Sequence, residues 1–284
     1  MGFALERVGR WTEEQAFEVE ADRARAYAAA TNDPVPAHVT GELAPPVFAV
    51  VPIWPVLAEA VAAVTPLEVM LQAVHGEQDL HLHRPIVPGA TLRSRAAPVG
   101  IHVKPSGTAV VTRTETRDEQ GALVNEQWSV SFVRGVGDGE SVGETAPPHR
   151  FPDDLRGTEP LAEVRQRLDD DQTFRYAEAS GDHMPIHLDD TVARSVGLPG
   201  IIVHGLCTMA HTSWAAVTEL AGGDPARLRR LAVRFSKPVL PGQEITTRFW
   251  VAGQRDGRAL FAYETTNADG DVVVRDGLAE VGAR

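Results

Sequence analysis

Tyr176-Ala177-Glu178-Ala179-Ser180-Gly181-Asp182-His183-Met184-Pro185-Ile186-His187 lies in the second half of a 284-residue chain. A version of it, Tyr27-Ala28-Ala29-Ala30-Thr31-Asn32-Asp33-Pro34-Val35-Pro36-Ala37-His38, lies in the first. Tyr, Ala, Ala, Asp, Pro and His coincide without a gap at a constant offset of 149. Further on, Arg84-Pro85-Ile86-Val87-Pro88-Gly89 matches Lys237-Pro238-Val239-Leu240-Pro241-Gly242 at an offset of 153. Two matches in the same order at nearly the same offset indicate a duplicated domain. Gly135 to Arg150, rich in Gly, Glu, Ser and Pro and poor in apolar residues, reads as the join. The expected organisation is therefore a first domain over 1–135, a linker over 136–153 and a second domain over 154–284.

Working outward, each half shows the same order of elements. A short helix ends in the Tyr…Asp…His segment, a longer helix follows, and four strand-like runs complete the half. In the second half, Leu206, Met209, Ala210, Ser213, Val217 and Leu220 recur at three- and four-residue spacing, an apolar stripe that predicts a helix from about Gly205 until Gly222-Gly223 stops it. Strands are predicted at 228–236, 244–253, 258–266 and 272–281, separated by Pro241-Gly242, Asp256-Gly257 and Asp269-Gly270. The first half mirrors this with a helix at 55–64 and strands near 74–83, 91–103, 108–118 and 123–133. One helix and a four-stranded meander bury the helix only if the sheet curls around it. Two such units in one chain can cover the edges that either alone would expose. The expected class is α+β: a pseudo-dimer built within one chain, with a further homodimer open.

Composition narrows the function. Hydrophobic residues make up 43% and charged residues 23%, the balance of a globular chain. A formal net charge of −12 repels phosphate backbones and argues against a nucleic-acid partner. No run approaches a membrane span, and Met1 to Glu20 lacks a basic stretch followed by an apolar one, so neither a membrane partner nor a secretory leader is expected. Cys207 is the only cysteine, which fits a reducing, cytoplasmic setting.

Tyr176 to His187 resembles the hydratase 2 motif of the MaoC family: an aromatic, Gly-Asp, then Pro, an apolar residue and His, with Asp and His five apart. Leu198-Pro199-Gly200-Ile201-Ile202-Val203-His204-Gly205 resembles the family's approach to its central helix, and His75-Gly76-Glu77-Gln78 with Arg84-Pro85 resembles two-domain members. The resemblance spans roughly residues 10 to 284. It implies a double hot-dog fold, each half a curved antiparallel sheet around a central helix. It also implies reversible hydration of trans-2-enoyl-CoA to (3R)-3-hydroxyacyl-CoA, with coenzyme A as part of the substrate and with neither a metal nor another cofactor.

The chemistry of the residues agrees. Hydrating a conjugated thioester needs a water at C3, a proton at C2 and a partner for the negative charge on the thioester oxygen. Asp182 and His187, either side of Pro185, can hold one water between them. Gly205, at a helix start, offers a backbone N–H to the oxyanion without a side chain in the way. Ser180, Gly181 and Met184 would line the substrate. Met184 departs from the family, which usually has Asn there to orient the site. As polar turn residues alone, Asp182 and His187 would be read as structural; the repeat and the His204-Gly205 helix start weigh against that.

Other positions carry less. His183 is expected at the rim, His204 as a structural residue and Cys207 in the core. Asp33 and His38 keep the dyad, but Pro45 to Pro52 lacks the His-Gly helix start, so the first half is expected to be non-catalytic and to house the acyl chain. Glu77 and Gln78 read equally as pocket residues or as ordinary strand positions. Arg84, Arg234 and Lys237 are candidates for coenzyme A phosphates, against the reading of solvated strand faces. Competing activities on the same fold are a dehydratase acting on acyl carrier protein, a thioesterase, and a non-catalytic acyl-CoA binder.

Overall fold

The computed structural model describes residues 2–137 and 139–283. Met1 at the start of the expected first domain, Asp138 in the expected linker and Arg284 at the end of the expected second domain lie outside the described residues. In chain order the elements are β1 (Gln15–Glu18), α1 (Ala21–Ala30), α2 (Pro36–Val39), α3 (Trp54–Val64), β2 (Ala73–Leu82), β3 (Thr91–Lys104), β4 (Gly107–Arg117), β5 (Leu123–Arg134) and β6 (Val142–Gly143). There follow β7 (Ala162–Arg167), α4 (Gln172–Ser180), α5 (Asp190–Ser195), α6 (Gly205–Glu219), β8 (Leu228–Phe235), β9 (Glu244–Arg255), β10 (Arg258–Asn267) and β11 (Val272–Val281).

Two compact units result, and they divide the chain differently from the 1–135 and 154–284 halves of the sequence. The first contains Met1–Glu18, Pro52–Arg84 and Ala90–Pro148; the second contains Val19–Val51, Pro85–Gly89 and His149–Arg284. Hydrogen bonds and packing give the reason. Ala44 N donates to Ile86 O at 2.9 Å and Gly89 N to Val19 O at 2.8 Å, which ties the two early segments to each other, and the packing of α1 on α4 joins them to the rest of the second unit.

In the first unit, antiparallel strands run in the order β1-β3-β4-β5-β2. Helix α3 has Pro55 as its second residue, where the missing N–H costs nothing because a first turn leaves it without a helical acceptor. Ile53, Val56, Leu57 and Ala60 pack on Ala96 of β3, and Val64 closes on Ile101 and Val110. Each of the Val, Leu and Ile side chains contributes about 1.5–3 kcal/mol when fully buried.

The second unit has the antiparallel order β8-β11-β10-β9-β7. Helix α6 touches both β8 and β7, the two ends of that order. Five flat strands about 4.8 Å apart would put those ends about 19 Å apart. A single helix roughly 10–12 Å across reaches both only if the sheet curls around it.

Also in the second unit, α1 packs on α4, and the hydroxyls of Tyr27 and Tyr176 meet at 3.2 Å, both rings fully buried. These are equivalent residues of the repeat. Residues meet their own equivalents only beside a twofold axis, so the two motif segments pack about a local pseudo-twofold. The last carbonyls of α1 are taken by side chains of the other copy. Arg175 Nη1 donates to Ala29 O at 2.8 Å, Gln172 Nε2 to Ala30 O, and Trp214 Nε1 to Thr31 O at 3.1 Å.

The expected linker is held at several points. Val142 and Gly143 pair with Ile101 and Gly100 of β3, and Glu144 N donates to Val99 O at 2.7 Å. The approach is so close that a Cβ on Gly100 would lie 2.0 Å from Glu144 O, and one on Gly143 2.1 Å from Val99 O. Phe151, 1% exposed, stacks edge-on against Trp250 at 5.1 Å, and its N–H donates to Asp276 Oδ1 at 3.1 Å. Phe151→Ala is therefore expected to lower unfolding free energy by about 3 kcal/mol in urea titrations, whereas a passive tether would give no change.

Candidate active site

The site is built where α4 ends. Gly181 caps the helix in the left-handed conformation, φ 84°, and its N–H donates to Ala177 O at 2.8 Å. That conformation suits glycine, and it turns the chain so that Asp182 leaves the helix axis. Asp182 N donates to Ser180 Oγ at 3.2 Å, and Asp182 Oδ1 accepts from Met184 N at 3.1 Å. A single-turn helix, Pro185–His187, then carries His187 back into the protein, where it is 8% exposed.

His187 Nδ1 lies 2.8 Å from Ile202 O. A carbonyl only accepts, so Nδ1 carries the proton and the neutral ring keeps its lone pair on Nε2. Burial lowers the His187 pKa below its ordinary 6.5, opposed by the Ile202 carbonyl and the Asp182 charge. Among the described residues no hydrogen bond joins the two side chains, yet polar atoms of Asp182, His187 and His204 all lie within 4.8 Å of one another. Two hydrogen bonds of about 2.8 Å, meeting at roughly the tetrahedral angle, span about 4.6 Å. The gap between carboxylate and imidazole is thus within the size for one water held from both sides.

His204 completes the cluster. It is 1% exposed, stacks on His187 at 3.7 Å, and places Nε2 3.0 Å from Asp182 O and Nδ1 3.1 Å from Thr173 Oγ1. Burial first, then the neighbouring His187, pushes its pKa down to about 3. Both of its ring nitrogens thus lie within hydrogen-bond distance of protein atoms.

Gly205 is the first residue of α6, whose opening N–H groups have no acceptor within the helix. A Cβ at Gly205 would lie 3.2 Å from the Phe235 ring, so the position is tight. The Met184 side chain is 49% exposed; its backbone N–H, not its side chain, steadies Asp182. His183 is exposed, 3.9 Å from Glu178. Cys207 is buried, and burial pushes its thiol pKa up, the reverse of an activated nucleophile. Thr173 and the Ile202 carbonyl were missed from sequence, since a backbone acceptor leaves no trace there and a threonine in a first helical turn looks ordinary.

The first copy of the motif is arranged differently. His38 Nδ1 meets Asp33 Oδ2 directly at 2.7 Å, and Asp33 Oδ1 accepts from Val35 N at 2.9 Å. His38 is fully buried and Asp33 6% exposed. Carboxylate and imidazole are closed on each other, with no gap for a water between them. Its Pro46–Val50 segment is a buried 3-10 helix in place of a His-Gly helix start.

The three cations proposed for coenzyme A stand at exposed or half-exposed positions beside carboxylates. Arg84 lies 3.2 Å from Asp118, Lys237 2.6 Å from Asp271 and Arg234 4.0 Å from Asp276. Gln78 is buried in a network with Gln127 and Ser129.

Residues 153–272 match the model of the MaoC like domain, and residues 6–127 match that of the FAS1-like dehydratase domain region. The 3-hydroxyacyl-thioester dehydratase Y of Mycobacterium tuberculosis is 36% identical over 215 residues, covering 73% of this chain and 72% of the relative. A probable enoyl-CoA hydratase 2 of Dictyostelium discoideum is 28% identical, covering 74% of this chain and 70% of the relative. The chain spans about a third of the much longer peroxisomal multifunctional enzyme type 2 of Drosophila melanogaster, 32% of its length. The crystal structure of a MaoC-like dehydratase from Phytophthora capsici superposes with a TM-score of 0.83 at 27% identity, covering 99% of this chain and 97% of that one. A Mycobacterium tuberculosis protein described as having a double hotdog fold superposes at 0.61 and 15% identity, a likeness of fold. The expected hot-dog architecture is borne out.

Asp33→Ala is expected to lower stability by about 2 kcal/mol, because it strands the buried Val35 N–H and His38 Nδ1. Activity per folded molecule should stay near wild type, checked by paired denaturation and turnover measurements.

Proposed function

The chain belongs to the MaoC-like dehydratase family, and we propose that it hydrates trans-2-enoyl-CoA reversibly to (3R)-3-hydroxyacyl-CoA, a hydro-lyase reaction centred on Asp182 and His187. The observation that carries this is the water-sized gap between a carboxylate and an imidazole whose Nε2 is left bare by the Ile202 carbonyl.

The water donates one hydrogen to Asp182 and the other to His187 Nε2, which turns a lone pair of its oxygen toward C3. As the C3–O bond forms, one O–H bond breaks and its proton stays on the dyad. The electron pair of the double bond passes to the thioester oxygen, where the N–H of Gly205 and the positive end of α6 receive it. A donor of this kind typically contributes about 10² to 10³ in rate. The dyad then returns its proton to C2, so the atoms of one water are added in full. Ser180 and Gly181 shape the turn that aims Asp182, and Met184 lies at the mouth.

Coenzyme A is the carrier favoured by the −12 charge, since an acidic carrier protein would be repelled. Arg84, Arg234 and Lys237 are retained as phosphate contacts that would exchange their carboxylate partners for the ligand. The first copy of the motif is inert in hydration, and the first half serves the acyl chain. No helix among the described residues is long and apolar enough to cross a membrane. A lone buried thiol suits a reducing compartment, which we place in the cytoplasm.

Asp182→Asn and His187→Gln should each lower hydration about 10² to 10⁴-fold with the folded state intact, followed as loss of enoyl thioester absorbance. Because burial lowers the His187 pKa, the base stays neutral as pH falls past 6.5, and the acid limb of kcat/KM should lie below that value. Full activity in Asp182→Asn, or an acid limb above 6.5, would count against the assignment.

A further inference from the structure

We infer that His204 is a positioning residue for this reaction, holding Asp182 through its main-chain carbonyl and His187 through a stacked ring. The inference rests on the hydratase reading of those two residues.

The proton inventory fixes how His204 is held. Asp182 O can only accept, so the Nε2 of His204, 3.0 Å away, must carry the hydrogen. The ring is neutral, since burial and the adjacent His187 disfavour a charge, so Nδ1 is bare. The single hydroxyl hydrogen of Thr173 is then shared between two acceptors, His187 O at 2.9 Å and His204 Nδ1 at 3.1 Å, and bonds fully to one of them at a time. One threonine therefore links the main chain of His187 to the ring that steadies the main chain of Asp182. The trio is closed, and each bond in it bears on one of the two reacting groups.

The stack acts on the other group. The His204 ring covers one face of His187 at 3.7 Å with planes 26° apart. Behind it stands Tyr176 of α4, ring centroids 4.9 Å from His204, locked in turn by the Tyr27 hydroxyl. The groups facing the pair are Asp182 and His183 from the loop, Thr173 and Tyr176 from α4, and the Ile202 carbonyl ahead of α6. Among these side chains only Asp182 is a carboxylate. Removing the His204 ring admits water to the buried face of His187 and relieves the desolvation that keeps it neutral.

Met184 gives the arrangement its significance here. Its side chain makes no hydrogen bond to Asp182, and among the described residues the Met184 backbone N–H is the one hydrogen-bond donor to that carboxylate. The remaining hold on the Asp182 residue comes from within, through Ser180 Oγ on its N–H and His204 on its carbonyl.

Two substitutions separate the two contacts. His204→Phe keeps a ring against His187 and loses the bond to Asp182. It should lower kcat about 10²-fold with KM little changed and the acid limb of kcat/KM unmoved. His204→Gln can still donate to Asp182 O but opens the stack; it should recover about tenfold of that loss while its acid limb rises toward 6.5. Should His204→Phe fail to fold, Thr173→Val reads the same chain, with Thr173→Ser restoring it. Wild-type kcat in His204→Phe, a change confined to KM, or equal losses that merely follow Tm in all variants would overturn the inference. Wild-type turnover in the same assay tests the hydratase reading separately. Absent turnover there refutes that reading; with turnover present, the variants alone decide the role of His204.

Discussion

The site depends on where His187 spends its one N–H. By donating from Nδ1 to the Ile202 carbonyl, the ring is fixed in one tautomer that leaves the Nε2 lone pair bare, and among the described residues no hydrogen bond joins it to the Asp182 side chain. Had the imidazole turned to the carboxylate, the gap would close, as it does where His38 donates to Asp33 at 2.7 Å. The two copies thus contain the same Asp and His at the same spacing, and one hydrogen-bond choice decides which of them can hold a water. Burial reinforces that choice by keeping His187 neutral.

Duplication made the difference tolerable. The segments that carry the two dyads pack against each other about the Tyr27–Tyr176 pair, so the first copy still buttresses α4, from whose end Asp182 emerges. A buried Asp33–His38 pair that satisfies its own backbone turn is a sound structural element. That copy also has the 3-10 helix Pro46–Val50 where the second has its His-Gly helix start.

Much of this was legible in the sequence because it follows from periodicity and turns. The strand 272–281 and the start of α6 at Gly205 fall where the pattern places them, and α3 begins one residue from its predicted start. The short edge strands β1 and β7 were not read: Gln15–Glu18 is largely exposed with no alternation, and Ala162–Arg167 alternates but carries only Ala162 and Val164 as apolar residues, too short a signal to stand out. The packing of Val19–Val51 with the C-terminal half was hidden for a different reason, since a repeat shows which segments are equivalent and not which ones touch. At the site, Asp182, His187 and Gly205 are singled out in the sequence by the repeat, the motif spacing and the helix start. The deciding partners, Ile202 O and Thr173, do not, because one is a backbone atom and the other gains its meaning only from the fold.

The most direct measurement is the fate of a trans-2-enoyl-CoA incubated with the protein in D2O and analysed by mass spectrometry and chiral chromatography. The expected product is (3R)-3-hydroxyacyl-CoA with one deuterium at C2 and the thioester intact. Release of free coenzyme A and carboxylic acid, formation of the (3S) isomer, or substrate recovered unchanged from a saturated complex would contradict the account.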